Sequence, residues 1–492
     1  MPAGPTLSIV STGIPGLDEL LRGGLTSDRM YLVQGDPGTG KTTLAMQFLM
    51  EGRQRGEPCL YVTLSETIRE LRAVAASHGW SLEGLELFQL AASDSPAAQD
   101  DYTLYHPSEV ELGETVKAML GSVERARPTR VVFDSLSEMR LLARDPLRYR
   151  RQILALKEYF AGRACTVLLL DDNTTEDGDL QLQSLSHGVI LLEQLPIEYG
   201  RARRRVRIIK YRGVAAVEGF HDFAIRRGGL VVFPQLIPSS EAVVADAPLG
   251  SGVSELDQLL GGGLSWGSTT LLIGPAGSGK STLAAQYVTA AKGRTKAAVF
   301  LFEERLETFV GRCDGLGMGM SERIASGDVA ITQVAPGEMS PGEFSHRVCE
   351  VVNTTGARVV MIDSANGYLN AIPQSGAPLV RLHELLAYLN SRGVATIIVI
   401  AQHGIIGTAM ATPIDLSYVA DCVVLLRFFE AQGAVRKAIS VVKKRTGTHE
   451  STIRELMIGP VAVRAGAALS KFQGVLTGVP TYVGTKDPLL NE

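Results

Sequence analysis

The sequence has few cysteines, and they lie far apart. Its 492 residues include only five, at positions 59, 165, 313, 349 and 422, with no CxxC pair among them. An odd number of widely spaced cysteines argues against a disulfide framework or a zinc site, and it is typical of proteins from a reducing compartment. We therefore expect a cytoplasmic protein.

Long hydrophobic runs are also missing. The longest, Val394–Ala401, has eight residues, which is the length of a buried strand and far below the roughly 18 residues that indicate a membrane helix. The first ten residues, MPAGPTLSIV, lack the basic and apolar regions of a secretory signal. The sequence therefore predicts no membrane association.

An excess of positive charge is missing as well. The chain has 48 lysines and arginines against 52 acidic residues, a formal net charge of −4. Proteins that coat nucleic acids need excess basic residues, so this balance makes nucleic acid an unfavoured partner. The densest basic segment, Arg201–Arg205, has acids nearby (Glu193, Glu198 and Glu218) and no interleaved aromatics that would stack on bases. A charged hairpin is the favoured interpretation of this segment.

What the sequence does contain is a long internal repeat. The segment Thr12–Asp18 is similar to Ser251–Asp257, 239 residues later, and both precede Leu-Leu and a glycine cluster. At about 100–200 residues per domain, the length allows two to four domains. A repeat of about half the chain predicts two, which we place at 1–238 and 239–492. The proline- and serine-containing segment 234–248 is the expected linker.

Short apolar runs alternate with helical patterns in each half. Such runs predict the buried strands of a parallel sheet with helices on both faces, so the expected fold class is α/β, twice. The predicted buried strands are 30–34, 60–64, 131–133 and 166–170, then 298–302, 359–362 and 396–400. Towards the end of each half, antiparallel strands are predicted at 189–192, 205–210 and 223–233, and at 423–426 and 438–442.

Two glycine-rich segments match the phosphate-binding pattern GxxxxGK[ST]. They are GDPGTGKT and GPAGSGKS, and they keep the repeat offset of 239. Each follows an apolar strand and precedes a helical pattern, so backbone N–H groups at a helix start can bind phosphate oxygens. The segments therefore predict two nucleotide sites. The candidate nucleotide-binding residues are Gly35, Asp36, Pro37, Gly38, Thr39, Gly40, Lys41, Thr42 and Thr43, and Gly274, Pro275, Ala276, Gly277, Ser278, Gly279, Lys280, Ser281 and Thr282.

An aspartate ends a later buried strand in each half, at Asp134 and Asp363. Nucleotide phosphates are bound together with Mg²⁺, which a hydroxyl of the phosphate loop and such an aspartate hold. Thr42 with Asp134, and Ser281 with Asp363, are the predicted metal ligands. The alternative role for the aspartates is to cap the helix that follows.

The strand after each phosphate-loop helix ends in acidic residues. These are Glu303 and Glu304 in the second half, and Ser65 and Glu66 in the first. A carboxylate at the carboxyl end of such a strand faces the ligand crevice, where it can position or deprotonate water. Glu66, Glu303 and Glu304 are therefore candidate catalytic residues, and solvated loop acids are the alternative.

Each half also has a basic segment near its end. Lys210 and Arg212 lie in the first half, and Lys443 and Arg445 in the second. Basic side chains far in sequence from the phosphate loop can act as fingers across a subunit interface. A sheet edge protected by charge is the alternative.

Together these motifs resemble the KaiC-like ATPases, a branch of the RecA superfamily, over nearly the whole chain. The resemblance also rests on TGIPGLDELLRGGL near the start, FEE at 302–304, FHDFAIRRGGLVVFP at 220–234, and 449–456. It implies two tandem RecA-like P-loop NTPase domains that use ATP and Mg²⁺. It also implies a homohexamer with the nucleotide between neighbouring subunits. The residue roles that it implies are hydrolysis for Glu303 and contact with the neighbour's nucleotide for Lys210, Arg212, Lys443 and Arg445.

The chain departs from the family pattern at several positions. Ser65 replaces the first glutamate of the N-terminal half, which predicts slow turnover or a structural nucleotide there. Ser417 followed by Tyr418 replaces the Ser-Thr pair that the clock protein of the family phosphorylates, so Ser417 is the candidate autophosphorylation site, with Thr412 nearby. Leu316 replaces the aromatic residue that stacks on the nucleotide base. A circadian function does not follow from the resemblance.

The leading hypothesis is a hexameric signalling ATPase with serine autokinase activity in its second half. The alternatives are a RecA-type DNA-dependent ATPase and a nucleotide-sensing scaffold with little catalysis. The loops after the fourth strand, acidic at 171–177 and uncharged at 403–408, argue against DNA. The short segment after Val483 offers little of a partner-binding extension. The expected partners are copies of the chain itself and unidentified signalling proteins.

Overall fold

The computed structural model describes most of the chain. The described residues are 8–90, 107–143, 145–173, 180–196, 200–238, 246–291, 295–335, 337–370, 378–402, 417–459, 463–476 and 480–484. Spatial proximity divides the chain into two compact units, one of residues 1–198 and 202–234 and the other of residues 199–201 and 235–492. Of the expected linker 234–248, residues 239–245 lie outside the described residues. The division at 238/239 stays a prediction.

The first unit alternates strands and helices before it ends in strands alone. Its strands are β1 (Ile9–Val10), β2 (Leu25–Thr26), β3 (Met30–Gly35), β4 (Cys59–Thr63), β5 (Glu86–Gln89), β6 (Arg130–Asp134), β7 (Thr166–Asp171), β8 (Gly188–Leu195), β9 (Arg203–Tyr211), β10 (Phe220–Arg226) and β11 (Gly229–Phe233). Its helices are α1 (Leu17–Leu20), α2 (Lys41–Gln54), α3 (Ile68–Ser77), α4 (Pro107–Ala126), α5 (Leu136–Ala143), α6 (Pro146–Phe160) and α7 (Leu180–Leu185).

The second unit repeats this order and adds a short hairpin. Its strands are β12 (Thr269–Gly274), β13 (Lys296–Leu301), β14 (Val329–Gln333), β15 (Ala357–Asp363), β16 (Ala395–Ala401), β17 (Cys422–Ala431), β18 (Ala434–Lys444), β19 (Arg454–Ile458), β20 (Val463–Ala468), β21 (Phe472–Gln473) and β22 (Thr481–Tyr482). Its helices are α8 (Ser254–Leu259), α9 (Lys280–Ala290), α10 (Leu306–Gly315), α11 (Met320–Ala325), α12 (Pro341–Thr355), α13 (Ala365–Asn370) and α14 (Pro378–Ser391).

Each unit is built on one nine-stranded sheet, and the two sheets have equivalent strand orders. The first is β5-β4-β6-β7-β3-β8-β9-β10-β11, and the second is β14-β13-β15-β16-β12-β17-β18-β19-β20. Neighbours among the first six strands of each order pair in parallel, and the last three strands are antiparallel. The predicted α/β class, present twice, is confirmed.

Helices cover both faces of the first sheet because its central strands are apolar on both sides. Tyr31 and Val33 of β3 belong to a core that includes Phe48 of α2. Leu32, between them, belongs to a second core with Met119 of α4 and other residues of that face. Consecutive strand residues point to opposite faces, so β3 is buried on both sides. This position in the middle of the sheet fixes the loop that follows Gly35.

Two predictions about the terminal strands are wrong in detail. The segment 223–233 forms two strands, β10 and β11, because Gly228 and Gly229 adopt φ angles of 96° and 108° and reverse the chain. The segments 189–192 and 423–426 lie in β8 and β17, each of which pairs in parallel with the strand before the phosphate loop and antiparallel with the next strand. They therefore join the parallel and antiparallel parts of each sheet.

The five cysteines are buried thiols. In the part of the chain that the structure describes, none of the helices has both the length and the apolar character to cross a bilayer.

Candidate nucleotide sites

The glycine-rich segments form the loop between the central strand and the following helix in both units. Gly40 and Gly279 immediately precede α2 and α9 and have φ angles of 107° and 103°. Gly38 and Gly277, with φ angles of 82° and 78°, also adopt the left-handed conformation. A side chain at such positions would be strained, so these glycines let the loop present its backbone N–H groups at the helix start. This arrangement fits a phosphate group.

In the first unit, the loop hydroxyl and the strand-end aspartate are in contact. Thr42 Oγ1 donates to Asp134 Oδ2 at 3.0 Å. The buried phenol of Tyr61 on β4 donates to the same oxygen. Burial raises the pKa of Asp134, although these two hydrogen bonds and the charge of Lys41 oppose the shift. Sequence reasoning placed Thr42 and Asp134 together but missed Tyr61.

The second unit has the same pair without the phenol. The hydroxyl of Ser281 lies beside Asp363, and burial raises the pKa of this carboxyl although the hydroxyl opposes the shift. Val299 stands at the position of Tyr61, as the strand registers show. Asp363 Oδ2 is buried and has no hydrogen-bond partner in the described part of the chain. An orphaned carboxylate oxygen beside a loop hydroxyl is the donor set that Mg²⁺ prefers, so these residues fit the metal.

The two loop lysines have different neighbours. Lys41 Nζ donates to the carbonyl oxygens of Gly35 and Asp36 and forms an ion pair with Asp172 Oδ1 at 2.8 Å. Lys280 Nζ donates to the carbonyl oxygen of Pro275 at 2.8 Å. Burial lowers the pKa of Lys280, although the charges of Asp363 and Glu303 oppose the shift. Both lysines lie at the loop, as predicted from the motif.

The two glutamates of the second unit are held differently. Glu304 forms a two-pronged ion pair with Arg312 of α10, with N···O distances of 3.2 and 2.7 Å. Arg312 also donates to Thr282 Oγ1 at 2.8 Å, which ties Glu304 to the first turn of the phosphate-loop helix. Glu303 is exposed at the end of β13. The geometry thus separates a fixed carboxylate from an accessible one.

The first unit has one carboxylate in this position. Ser65 is exposed and Glu66 is half-buried. Glu66 Oε2 is buried without a hydrogen-bond partner in the described residues. Burial, together with the charges of Asp134 and Glu70, raises the pKa of Glu66. The two predicted acidic sites are therefore chemically unequal.

The basic residues of the first unit lie at the opposite end of the sheet from its phosphate loop. Lys210 Nζ donates to the carbonyl oxygens of Gln183 and Ser184, and Arg212 donates to Ser184. Arg212 also lines a pocket of about 260 Å³, and the other titratable residues of its lining are Asp28, Arg29, Lys157 and His187. Burial and the nearby charges of Arg29, Arg212 and Lys210 lower the pKa of His187.

The basic residues of the second unit occupy the equivalent end. Lys443 Nζ donates to the carbonyl oxygens of Ser417 and Ala420, and Arg445 donates to that of Tyr418. Both β9 and β18 have a strand on each side in the sheet order, but β10 pairs only with residues 204–207 of β9, and β19 pairs only with residues 437–439 of β18. Lys210 and Lys443 lie beyond these pairings, so a sheet edge protected by charge stays an alternative for them. Ser417 is half-buried at this end, whereas Thr412 and the loop 403–408 lie outside the described residues.

Some site residues that the structure brings together carried no recognisable sequence signal. Tyr61, Asp172 and Arg312 each contact a predicted site residue across the fold. The basic segment at 201–205 is partly explained by an ion pair between Arg205 and Glu193 and by stacking of Arg205 on Phe220. In the predicted acidic loop 171–177, residues 174–177 lie outside the described residues.

The fold and the paired loops define a P-loop NTPase with two tandem RecA-like domains. The family model described as the KaiC ATPase matches residues 10–237 and 249–467. Because these two matches cover most of the chain, the protein belongs to the KaiC ATPase family, and the resemblance noted from the sequence is confirmed.

Curated relatives match over almost their full length. The chain is 26% identical to the "Circadian clock protein KaiC3" of Synechocystis, over 97% of this chain and 95% of the relative. It is 25% identical to the "Circadian clock oscillator protein KaiC" of Synechococcus elongatus, over 96% of this chain and 92% of the relative. The protein of the same name from Thermosynechococcus vestitus is 26% identical, with 97% and 93% covered.

Proposed function

We propose that this KaiC-family ATPase binds Mg-ATP at both phosphate loops and hydrolyses it as a cytoplasmic homohexamer that signals to other proteins. One observation carries the proposal: each unit brings a loop lysine, a loop hydroxyl, a strand-end aspartate and a strand-end glutamate to one end of its sheet. These four groups are the parts that P-loop enzymes use for phosphoryl transfer.

Each group has a distinct role in the proposed mechanism. Lys41 and Lys280, with the loop N–H groups, hold the phosphates, while Thr42 with Asp134, and Ser281 with Asp363, hold Mg²⁺. The metal, when bound, neutralises charge that develops on the transferred phosphate. Glu303 orients the attacking water and accepts its proton. Glu304 positions Arg312 and through it Thr282.

The basic residues support nucleotide sites between neighbouring subunits. Lys210, Arg212, Lys443 and Arg445 lie at the sheet end away from their own loops, so they serve the loop of another copy. In the first unit three cationic side chains, Arg29, Lys157 and Arg212, line one pocket with a single acidic residue, Asp28, and this excess of positive charge favours an anionic occupant. A ring of six copies gives each loop such a neighbour, because a repeated head-to-tail contact closes into a ring.

The DNA-dependent ATPase is less favoured, because Arg205 and Arg212 of the basic segments are engaged in local contacts and the net charge of the chain is negative. The nucleotide-sensing scaffold is favoured for the first unit by Ser65, which offers no carboxylate for hydrolysis. Stimulation of ATP hydrolysis by single-stranded DNA would favour the DNA-dependent ATPase instead.

Loss of the loop lysines tests the nucleotide sites. We expect the wild-type chain to bind two nucleotides per subunit in isothermal titration with Mg²⁺ and to form particles of six chain masses in mass photometry. Lys41→Ala and Lys280→Ala should each remove one site, because affinity falls by about 100-fold when the phosphate loses its cationic partner. Lys117→Ala, at an exposed position of α4, is the control. A persistent monomer or unchanged stoichiometry in the double variant would contradict the proposal.

Serine autokinase activity is the second part of the proposal. Ser417 lies at the sheet end where Lys443 contacts it, away from the loop of its own unit, so a neighbouring subunit's nucleotide would be the phosphate donor. Incubation with Mg-ATP should yield a phosphopeptide containing Ser417. Lys280→Ala should abolish this phosphate and Lys41→Ala should not. Phosphate that persists in Lys280→Ala, or none in the wild type, would rule out the autokinase.

A further inference from the structure

The ammonium group of Lys41 is fully engaged by the protein itself. It has three N–H donors, and its three partners are the carbonyl oxygens of Gly35 and Asp36 and the carboxylate of Asp172. The Lys41 side chain is only 9% exposed, and that of Asp172 is 31% exposed. The group that binds phosphate in a P-loop therefore already has an anionic partner.

Asp172 is held in this position by its surroundings. It directly follows β7, which lies next to β3 in the sheet, and Ser137 Oγ donates to its Oδ2 at 2.9 Å. Burial alone would raise the pKa of Asp172, but the hydrogen bonds from Lys41 and Ser137 and the charges of Lys41 and Arg140 lower it overall. Asp172 is thus a fixed anion at neutral pH.

The second unit has no such anion at the equivalent position. The pairing of β3 with β7 and of β12 with β16 makes Ala401 the counterpart of Asp172. Asn366 stands in the place of Ser137 and bonds to the backbone N–H and carbonyl of Ala401. In the described residues, Lys280 forms no ion pair, so its ammonium is not shared with a carboxylate.

A P-loop lysine contacts the β- and γ-phosphates of a bound nucleotide. A γ-phosphate bound to the Lys41 ammonium would lie next to the carboxylate of Asp172, which binds the same ammonium. Two anions in contact with one cation repel each other. A diphosphate brings less negative charge to this point. The electrostatic penalty for binding a nucleotide at Lys41 therefore increases with the number of its phosphates.

We propose that Asp172 is a specificity-determining residue of the N-terminal site, which it biases towards a nucleoside diphosphate over a triphosphate. The C-terminal site, with Ala401 in this place, has no such bias. The inference rests on the proposed role of Lys41 in binding nucleotide, and it predicts that the two sites of one subunit hold different nucleotides under the same conditions.

The test is the ratio of the two dissociation constants at one site. Full-length chain with Lys280→Ala is titrated calorimetrically with Mg-ADP and with a non-hydrolysable Mg-ATP analogue, with and without Asp172→Asn. We expect Asp172→Asn to strengthen triphosphate binding relative to diphosphate by about tenfold, because it removes the charge and keeps the shape. Glu83→Gln, an exposed carboxylate of the same unit, is the control for net charge and should leave the ratio unchanged.

A substitution at the equivalent position of the C-terminal site provides a second test that does not depend on the Asp172 variants. Ala401→Asp, in chain with Lys41→Ala, should weaken triphosphate relative to diphosphate at the C-terminal site. Asp172→Ala supplies the same answer as Asp172→Asn if the amide variant does not fold. If both nucleotides bind and neither Asp172 variant changes the ratio, the inference is wrong and the nucleotide site stands. If the Lys280→Ala chain binds neither nucleotide, the proposed N-terminal site fails and the inference fails with it.

Discussion

Glu303→Gln is expected to lower ATP hydrolysis by the C-terminal unit about 100-fold while ATP binding stays intact. Glu303 is exposed at the carboxyl end of β13, whereas the adjacent Glu304 is already bound by Arg312. A glutamine keeps the size and can still hold water, but it cannot accept a proton, and general-base catalysis typically contributes about 10²–10⁴-fold. Phosphate release in chain with Lys41→Ala, which silences the other site, measures the effect.

Glu304→Gln is the matched control for this prediction. It removes the same charge one residue later, but the lost contact is with Arg312 and not with water, so we expect a smaller fall in turnover. If Glu304→Gln is slower than Glu303→Gln, the fixed carboxylate is the catalytic one and the assignment of Glu303 is wrong. Unchanged hydrolysis in Glu303→Gln would also show that the assignment of Glu303 is wrong.

The first unit offers the converse experiment. Ser65 occupies the position of Glu303, so Ser65→Glu in chain with Lys280→Ala should raise turnover at the N-terminal site by about tenfold or more. Ser65→Gln adds the same bulk without a base and should not. Equal rates for these two variants would show that the missing carboxylate is not what limits this site.

The parts of each site that sequence predicted are those encoded by short, local patterns. The loop glycines, Lys41 and Thr42 lie within one eight-residue motif, and Asp134 ends a recognisable apolar strand. Each of these signals lies in consecutive residues of the sequence, so it can be recognised without knowledge of the strand order in the sheet. The same is true of Lys280, Ser281 and Asp363 in the second repeat.

The contacts that distinguish the two sites depend on the order of strands in the sheet. Tyr61 reaches Asp134 because β4 lies beside β6, and Asp172 reaches Lys41 because β7 lies beside β3. Neither residue belongs to a motif, and a buried tyrosine in a strand is ordinarily part of the core. Only the three-dimensional arrangement gives them a role. The turn at Gly228 is different, because a Gly-Gly pair between two apolar runs is a local sequence signal for a hairpin, and the prediction of a single strand over 223–233 overlooked it.

Lys443 and Arg445 are too far from their own loop to act on it. Arg445 pairs with Asp421, whose N–H donates to the carbonyl of Thr269 at the start of β12. The loop begins after Gly274, five residues further along, or about 16 Å at roughly 3.3 Å per residue. Lys443 points towards the same end, since it donates to the carbonyls of Ser417 and Ala420. If these residues stabilise phosphate charge, they do so in a neighbouring subunit.

Mixed assemblies test this arrangement directly. Arg445→Ala alone should lower C-terminal turnover by about 10³-fold, which is the effect of an arginine finger. Co-expression of Arg445→Ala chains with Glu303→Gln chains, both carrying Lys41→Ala, should restore about one quarter of the parental rate. In a ring that assembles at random from equal amounts of the two chains, about one quarter of the interfaces combine an intact Glu303 from one subunit with an intact Arg445 from its neighbour. Arg464→Ala, an exposed arginine of β20, serves as the control. Mixtures that stay inactive would place Arg445 and Glu303 in the same subunit's site, and the interface assignment would then be wrong.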